Sequence, residues 1–289
     1  MQYVLPMLLL VALLVGGLAL LDRPRFMPID ANVATDFPPD GFSHLDFEGL
    51  LKEYVDEDGN IDYDEWRNDD KSVAQLESYL AAVSAYSPDN APGRFATRND
   101  ELAYWIYGYN AYVIWSVLDN WPIESVTDVK APLEVVRGLG FFYQLRFAFG
   151  GEKHSLLSVE NGKIRKSFDD ARIHFVLNCA SESCPIMRTS LPTGEALQEL
   201  LASAALEFVS DPKNVTIDHA NKQIVLSTIF KWFRKDFLND LARQGRPAEL
   251  GVVDYVASVA PDTVRAELDS ARGYDVVFRD YDWSLNRVE

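Results

Sequence analysis

The stretch from Arg172 to Pro185, RIHFVLNCASESCP, decides how this chain is read. Ile173, Phe175 and Leu177 alternate with His174, Val176 and Asn178. A period of two predicts a strand over 173–178 with its apolar face in a core. The second half carries both cysteines of the chain, Cys179 and Cys184, and stops at Pro185, which predicts a loop leaving that strand.

Helical patterns dominate on both sides of it. Apolar residues at 45, 47, 50, 51, 54 and 55 fit an amphipathic helix, and 72–84 fits another. The run 100–118 is aromatic and apolar nearly all round, which predicts a central buried helix broken at Trp121-Pro122. Asn110 and Gly108 lie inside it. A buried amide needs partners, so Asn110 is either a clamp on a neighbouring loop or a site residue. Downstream, 139–149 reads as strand and 156–165 as a short helix carrying Glu160. Helices are expected at 194–210, capped by Thr193, and at 229–244 and 248–259. The segments 215–217 and 223–226 flank a turn and form a hairpin. The chain closes with a strand and polar turn in DVVFRDYDWSLN. These elements predict one α+β domain over 43–289, a helical majority packed on a small antiparallel sheet.

The 289 residues are 48% hydrophobic and 12% aromatic, ample for a packed core and unlike a disordered chain. A net charge of −17 repels polyanions and argues against nucleic acid as a partner. Two cysteines are too few for a disulfide-built scaffold.

Residues 4–21 form an uncharged hydrophobic run at the lower limit for a membrane-spanning helix. A cleaved signal peptide and a retained anchor both fit the region 1–21. The first cation is Arg23, so the basic start of a signal peptide is missing, and the anchor is favoured. Residues 22–42 contain four prolines and read as an extended linker from membrane to domain. The expected partners are the membrane, through residues 4–21, and a protein of a membrane complex. The domain is expected on the extracytoplasmic side.

VDEDGNIDYDEW (55–66) resembles a calcium loop. With Gly59 as its sixth position, however, the first ligand would be Tyr54, which has no carboxylate. An Asp-Gly turn into a short extended piece is the simpler reading, and no metal or other cofactor is assigned.

His174, Cys179 and Cys184 lie close in sequence, and Glu160 precedes them. A cysteine nucleophile needs a thiolate, an imidazole can generate it, and a carboxylate can orient the imidazole. Cys184 as nucleophile, His174 as base and Glu160 as orienting acid would make a hydrolase or acyl transferase, with Asn110 as polar support. Three other readings stand beside it: a Cys179–Cys184 disulfide, a buried His174 satisfied by Asn110 or Glu160, and simple packing of Cys179. A zinc site drawn from the same side chains is a further alternative. Arg172, Lys231 and Arg234 could form a cationic wall for an anion, or else ordinary surface ion pairs.

Five stretches in order carry a resemblance: YWIYGYNAYVI (104–114), SLLSVENGKIRK (155–166), RIHFVLNCASESCP (172–185), LSTIFKWFRKDF (226–237) and YDWSLN (281–286). Together they resemble the domain-of-unknown-function 547 family, DUF547, over about residues 43–286. The resemblance implies a domain without an established activity, often exported or membrane-attached in bacteria. It suggests a binding or accessory subunit at least as strongly as an enzyme. Members of that family read Glu-His where this chain has Glu160-Asn161, so a mechanism needing that second histidine does not transfer.

Overall fold

A computed structural model describes residues 24–131 and 136–289. The hydrophobic segment 4–21 lies outside the described residues. Among the described residues no helix is long and apolar enough to cross a membrane.

The fold is α+β, built around one long helix. Helices α1 (Leu45–Tyr54), α2 (Tyr63–Asn68) and α3 (Asp70–Ala85) precede α4 (Arg98–Asp119). Thr97 and Asp100 start α4 by capping each other's backbone amides. Every residue from Leu102 to Leu118 is buried, so α4 has no solvent face there. Gly108 permits close packing on this helix. A Cβ at this position would stand 3.1 Å from Val83 Cγ1 and 3.2 Å from Phe149 Cε1. The glycine therefore lets α4 approach both α3 and the strand beyond it.

Two small sheets flank the helices. In the first, β1 (Arg25–Phe26) pairs in parallel with β2 (Leu145–Phe149), which pairs antiparallel with β3 (Glu152–His154). Leu145, Phe147 and Phe149 alternate inward, and the Tyr112 ring of α4 lies 4.6 Å from Phe147 and 5.0 Å from Phe149. In the second, β4 (Val215–Asp218) and β5 (Gln223–Leu226) form the expected hairpin, and β6 (Asp275–Phe278) joins β5 in parallel. Each sheet is thus mixed and not purely antiparallel.

A helical run, α over Leu156–Ser158, π over Val159–Arg165 and α over Lys166–Phe168, carries Glu160 as expected, and further on lie α5 (Ala196–Ser210), α6 (Ile229–Trp232), α7 (Arg234–Arg243), α8 (Val252–Val259) and α9 (Asp262–Ser270). The helix expected at 229–244 is broken at Phe233. The start expected at Thr193 moves to Ala196, because Gly194 adopts a φ of +58° and its N–H donates to Asp100 Oδ1 at 2.8 Å. The start expected at 248 moves to Val252, where the Asp254 carboxylate accepts from Gly251 N–H.

Two strand expectations fail. Residues 140–144, the first half of the expected 139–149 strand, wind as a π-helical turn before β2 begins. The segment expected as a strand over 173–178 begins instead as a 3-10 turn, Ala171–Phe175, started by the Asp170 side chain accepting from Arg172 N–H. Alternation misleads because both faces are buried: Ile173 through Asn178 are all inaccessible, His174 and Asn178 included. With no polar face toward water, the period carries no strand information.

Residues 24–42 do not hang free as a linker. Met27 is buried and its N–H donates to Arg146 O at 2.8 Å, while Ile29 and Phe42 pack on the core. Arg94 donates to the carbonyls of Pro38 and Gly41. The calcium-like loop is an Asx turn. Asp56 Oδ1 accepts from the N–H groups of Asp58 and Asn60, so its carboxylate serves its own backbone. Gly59, at φ +82°, meets the chain at Ile186 and Met187.

Candidate functional site

The loop from Val176 to Pro185 is fixed from below by α4. Asn110 Nδ2 donates to Val176 O at 2.9 Å, and Asn178 N–H donates to Asn110 Oδ1 at 3.0 Å. Asn110 is therefore the clamp, with both ends of its amide in use. Asn178 repeats the device one step on: its Oδ1 accepts from Ala180 N–H and its Nδ2 donates to Pro185 O. The far side of the loop is tied to the C-terminal segment. Glu182 N–H donates to Ser284 O, and Ser183 Oγ accepts from Asp282 N–H.

Above this loop lies a cavity of about 230 Å³. Glu160, His174, Cys179 and Cys184 all line it. Its remaining wall is largely aromatic, including Tyr109, Trp232, Phe233, Tyr281 and Trp283. Trp232, Tyr281 and Trp283 pack as a trio, with ring centroids 4.6 to 5.8 Å apart. Val136, Tyr143, Leu157 and Trp232 line the same cavity and remain exposed, so its mouth is an apolar rim.

Cys179 and Cys184 are joined by a disulfide. The Tyr281 hydroxyl lies 2.9 Å from Cys179 Sγ and 3.1 Å from Cys184 Sγ, so its one proton is shared between the two sulfurs. Cys179 N–H also donates to Cys184 Sγ at 3.0 Å. Burial pushes the Tyr281 phenol well above its ordinary range, so it stays a donor. In this bridged state neither sulfur is a free nucleophile or a metal ligand. Among the described residues no group of three or more His, Cys, Asp and Glu side chains could hold a metal ion.

His174 does not pair with Asn110, whose amide is fully occupied by the loop. Its Nε2 meets Asp236 Oδ2 at 2.8 Å, and its ring stacks on Phe233 with centroids 3.8 Å apart. Arg165 grips the same carboxylate with Nε on Oδ2 at 2.6 Å and Nη2 on Oδ1 at 3.2 Å, and it also bonds Asn161. Burial opposes charge on Asp236, but hydrogen bonds from His174 and Arg165 outweigh it and hold the carboxyl well below the usual range. Burial lowers the His174 pKa against the pull of Asp236. The imidazole is therefore neutral at pH 7. An ionised Asp236 fixes the proton on Nε2 and leaves Nδ1 with its lone pair.

Glu160 is half-buried in the cavity wall. Burial pushes its carboxyl up to about 7, with Arg165 opposing and Asp236 adding to the rise. The cavity thus contains one acid that changes charge near neutrality.

Arg172, Lys231 and Arg234 do not line this cavity. Arg172 pairs with Asp170 at 2.6 Å and donates to Gln198, while Lys231 and Arg234 are exposed. Arg165, Asp236, Tyr281, Trp232 and Trp283 were not foreseen as site residues. Each lies inside one of the quoted motifs, but pairing between residues 71 positions apart, as for Arg165 and Asp236, leaves no local pattern.

Residues 94–209 match the family described as Protein of unknown function, DUF547. The match supports the family resemblance drawn from the motifs, and with it a domain of no known activity. It takes in Asn110, Glu160, His174 and both cysteines, while Asp236, Trp232, Tyr281 and Trp283 lie beyond it. No curated protein and no solved structure matches the chain.

Proposed function

We propose that this chain is a binding module held at a membrane by residues 4–21, with its domain on the extracytoplasmic side. Its cavity receives an apolar side chain of a partner protein. The observation that carries this reading is the aromatic cavity with its exposed apolar rim. A pocket of about 230 Å³ suits one or two large side chains, and a rim of Val136, Tyr143, Leu157 and Trp232 is surface that a partner would cover. The disulfide is in keeping with an oxidising compartment.

A cysteine-dependent hydrolase has one observation in its favour, since Glu160, His174 and both cysteines reach the same cavity. It would need a free Cys184 thiolate. Asp236 orients the His174 imidazole as such a mechanism requires, but the bridge to Cys179 ranks it second.

The test is purification of the full chain in mild detergent, with Trp232→Ala and Leu157→Glu variants in parallel. A stoichiometric partner is expected with the native chain and should be lost with either variant, while both variants still unfold in a single cooperative thermal transition. A native chain that purifies alone and monomeric contradicts the proposal.

A further inference from the structure

We infer that the Cys179–Cys184 bridge is redox-active and exchanges with a thiol-bearing substrate presented in the aromatic cavity. This goes beyond the binding role, which needs no chemistry at the bridge.

Three independent features point to it. First, the bridge is poorly placed as a staple. It closes a loop between positions only five apart, which constrains little of the unfolded chain. The same loop is already pinned by Asn110, by both ends of the Asn178 amide, and by Glu182 and Ser183 bonding to residues 282–284. The fold does not depend on the S–S bond to hold this shape. Second, both cysteines line the cavity, and Cys184 also lines the neighbouring polar groove with Arg188, Lys213 and Arg279. A substrate can therefore reach Cys184 from either side. Third, the thiolates that reduction would create have donors waiting. Tyr281 serves both sulfurs, and Cys179 N–H serves Cys184. Between the cysteines, Ala180 adopts φ +56°, an unfavourable conformation for a residue with a Cβ. Such strain persists where the surroundings over-determine it and is concentrated at functional sites.

The exchange balances without any other reactant. A substrate thiolate attacks Cys184 Sγ, forming a mixed disulfide, and the S–S bond breaks toward Cys179. Cys179 leaves as a thiolate that accepts from Tyr281 and takes up the proton the substrate thiol released. A second substrate thiol gives its proton to the solvent, and its thiolate attacks the mixed disulfide at the substrate sulfur. Substrate disulfide departs, and the Cys184 thiolate is left accepting from Cys179 N–H and Tyr281 until it takes a proton from solvent. Two substrate thiols are oxidised and the bridge is reduced to two thiols. The substrate class is a thiol, in a small molecule or a peptide, with apolar groups beside the sulfur.

The experiment uses the full oxidised chain without partner, so a failed partner search does not touch it. Bridge reduction by dithiothreitol is followed in the folded chain and in the urea-unfolded chain. The preset donors to the leaving thiolate should make the folded chain react at least about tenfold faster, and Tyr281→Phe should remove most of that gain. Acid quenching of the run with glutathione, a monothiol, should trap the mixed disulfide on Cys184. In the reduced chain, ultraviolet thiolate absorbance should titrate below the free-cysteine value of about 8.5 in native protein and move upward in Tyr281→Phe. Parallel runs with glutathione and with a cysteine peptide flanked by leucines separate the two substrate sources. Slower reduction of the folded than of the unfolded chain overturns the inference, as does a mixed disulfide trapped on Cys179 alone. Both readouts need only the native sequence, so a variant that fails to fold does not blunt them.

Discussion

Asn110→Ala is the perturbation that probes the architecture of the site most sharply. The amide supplies one acceptor and one donor, at 3.0 Å to Asn178 N–H and 2.9 Å to Val176 O. Both partners belong to residues at most 5% exposed, so water cannot replace the lost bonds. Each stranded backbone group costs about 1–3 kcal/mol. Two of them predict a loss of about 2–6 kcal/mol, a large share of the roughly 5–15 kcal/mol that stabilises a typical domain. The assay is urea unfolding of the oxidised chain, read as a midpoint shift at constant slope, so that the bridge restrains the unfolded state equally in both proteins. A change below about 1 kcal/mol would refute the clamp, because the two hydrogen bonds would then be dispensable.

Three further outcomes follow from the same contacts. Glu160 has a folded pKa of about 7, above its unfolded value of 4.5, so its contribution to stability is present below pH 4.5 and is lost as pH rises through 7. Glu160→Gln should therefore raise stability at pH 8, by up to about 3 kcal/mol, and change little at pH 4, as thermal melts at the two pH values will show. His174 and Asp236 act with the opposite sign, since both are depressed in the folded state. Their contribution is complete above about pH 6.5 and falls in two stages, as unfolded His174 and then unfolded Asp236 take up protons. Asp236→Asn should remove the lower stage from a pH–stability curve and cost about 1–3 kcal/mol at pH 7 through the lost charge-assisted bonds. Gly59→Ala places a Cβ 2.6 Å from Ile186 Cβ and 2.9 Å from Met187 N at a φ of +82°, and should lower the melting temperature by roughly 5 °C or more in calorimetry.

The long-range periodic parts of this fold were legible in the sequence. The helix at Arg98–Asp119, the hairpin of β4 and β5 and the helical majority follow from residue spacing. Local alternation failed at 173–178 because a fully buried 3-10 turn offers no solvent face to set the period. The helix at Asp262–Ser270 went unread, since only Leu268 of its nine residues is buried and its apolar stripe is faint. At the site, the sequence could nominate Glu160, His174, Cys179 and Cys184 by residue type, and all four do line one cavity. It could not assign His174 to Asp236, because that contact spans 62 positions and depends on how α7 packs against the 3-10 turn. Nor could it choose between a bridge and a thiolate, which differ only in how close two sulfurs come.

The chemistry of the cavity turns on whether Cys179 and Cys184 are bonded to each other, with neither thiol free. The direct measurement is intact mass after alkylation of the unfolded full chain, purified without reductant. No added alkyl group is expected before reduction, and two after it. Two alkyl groups added without prior reduction would contradict the bridge and return Cys184 to the place of a free nucleophile beside His174.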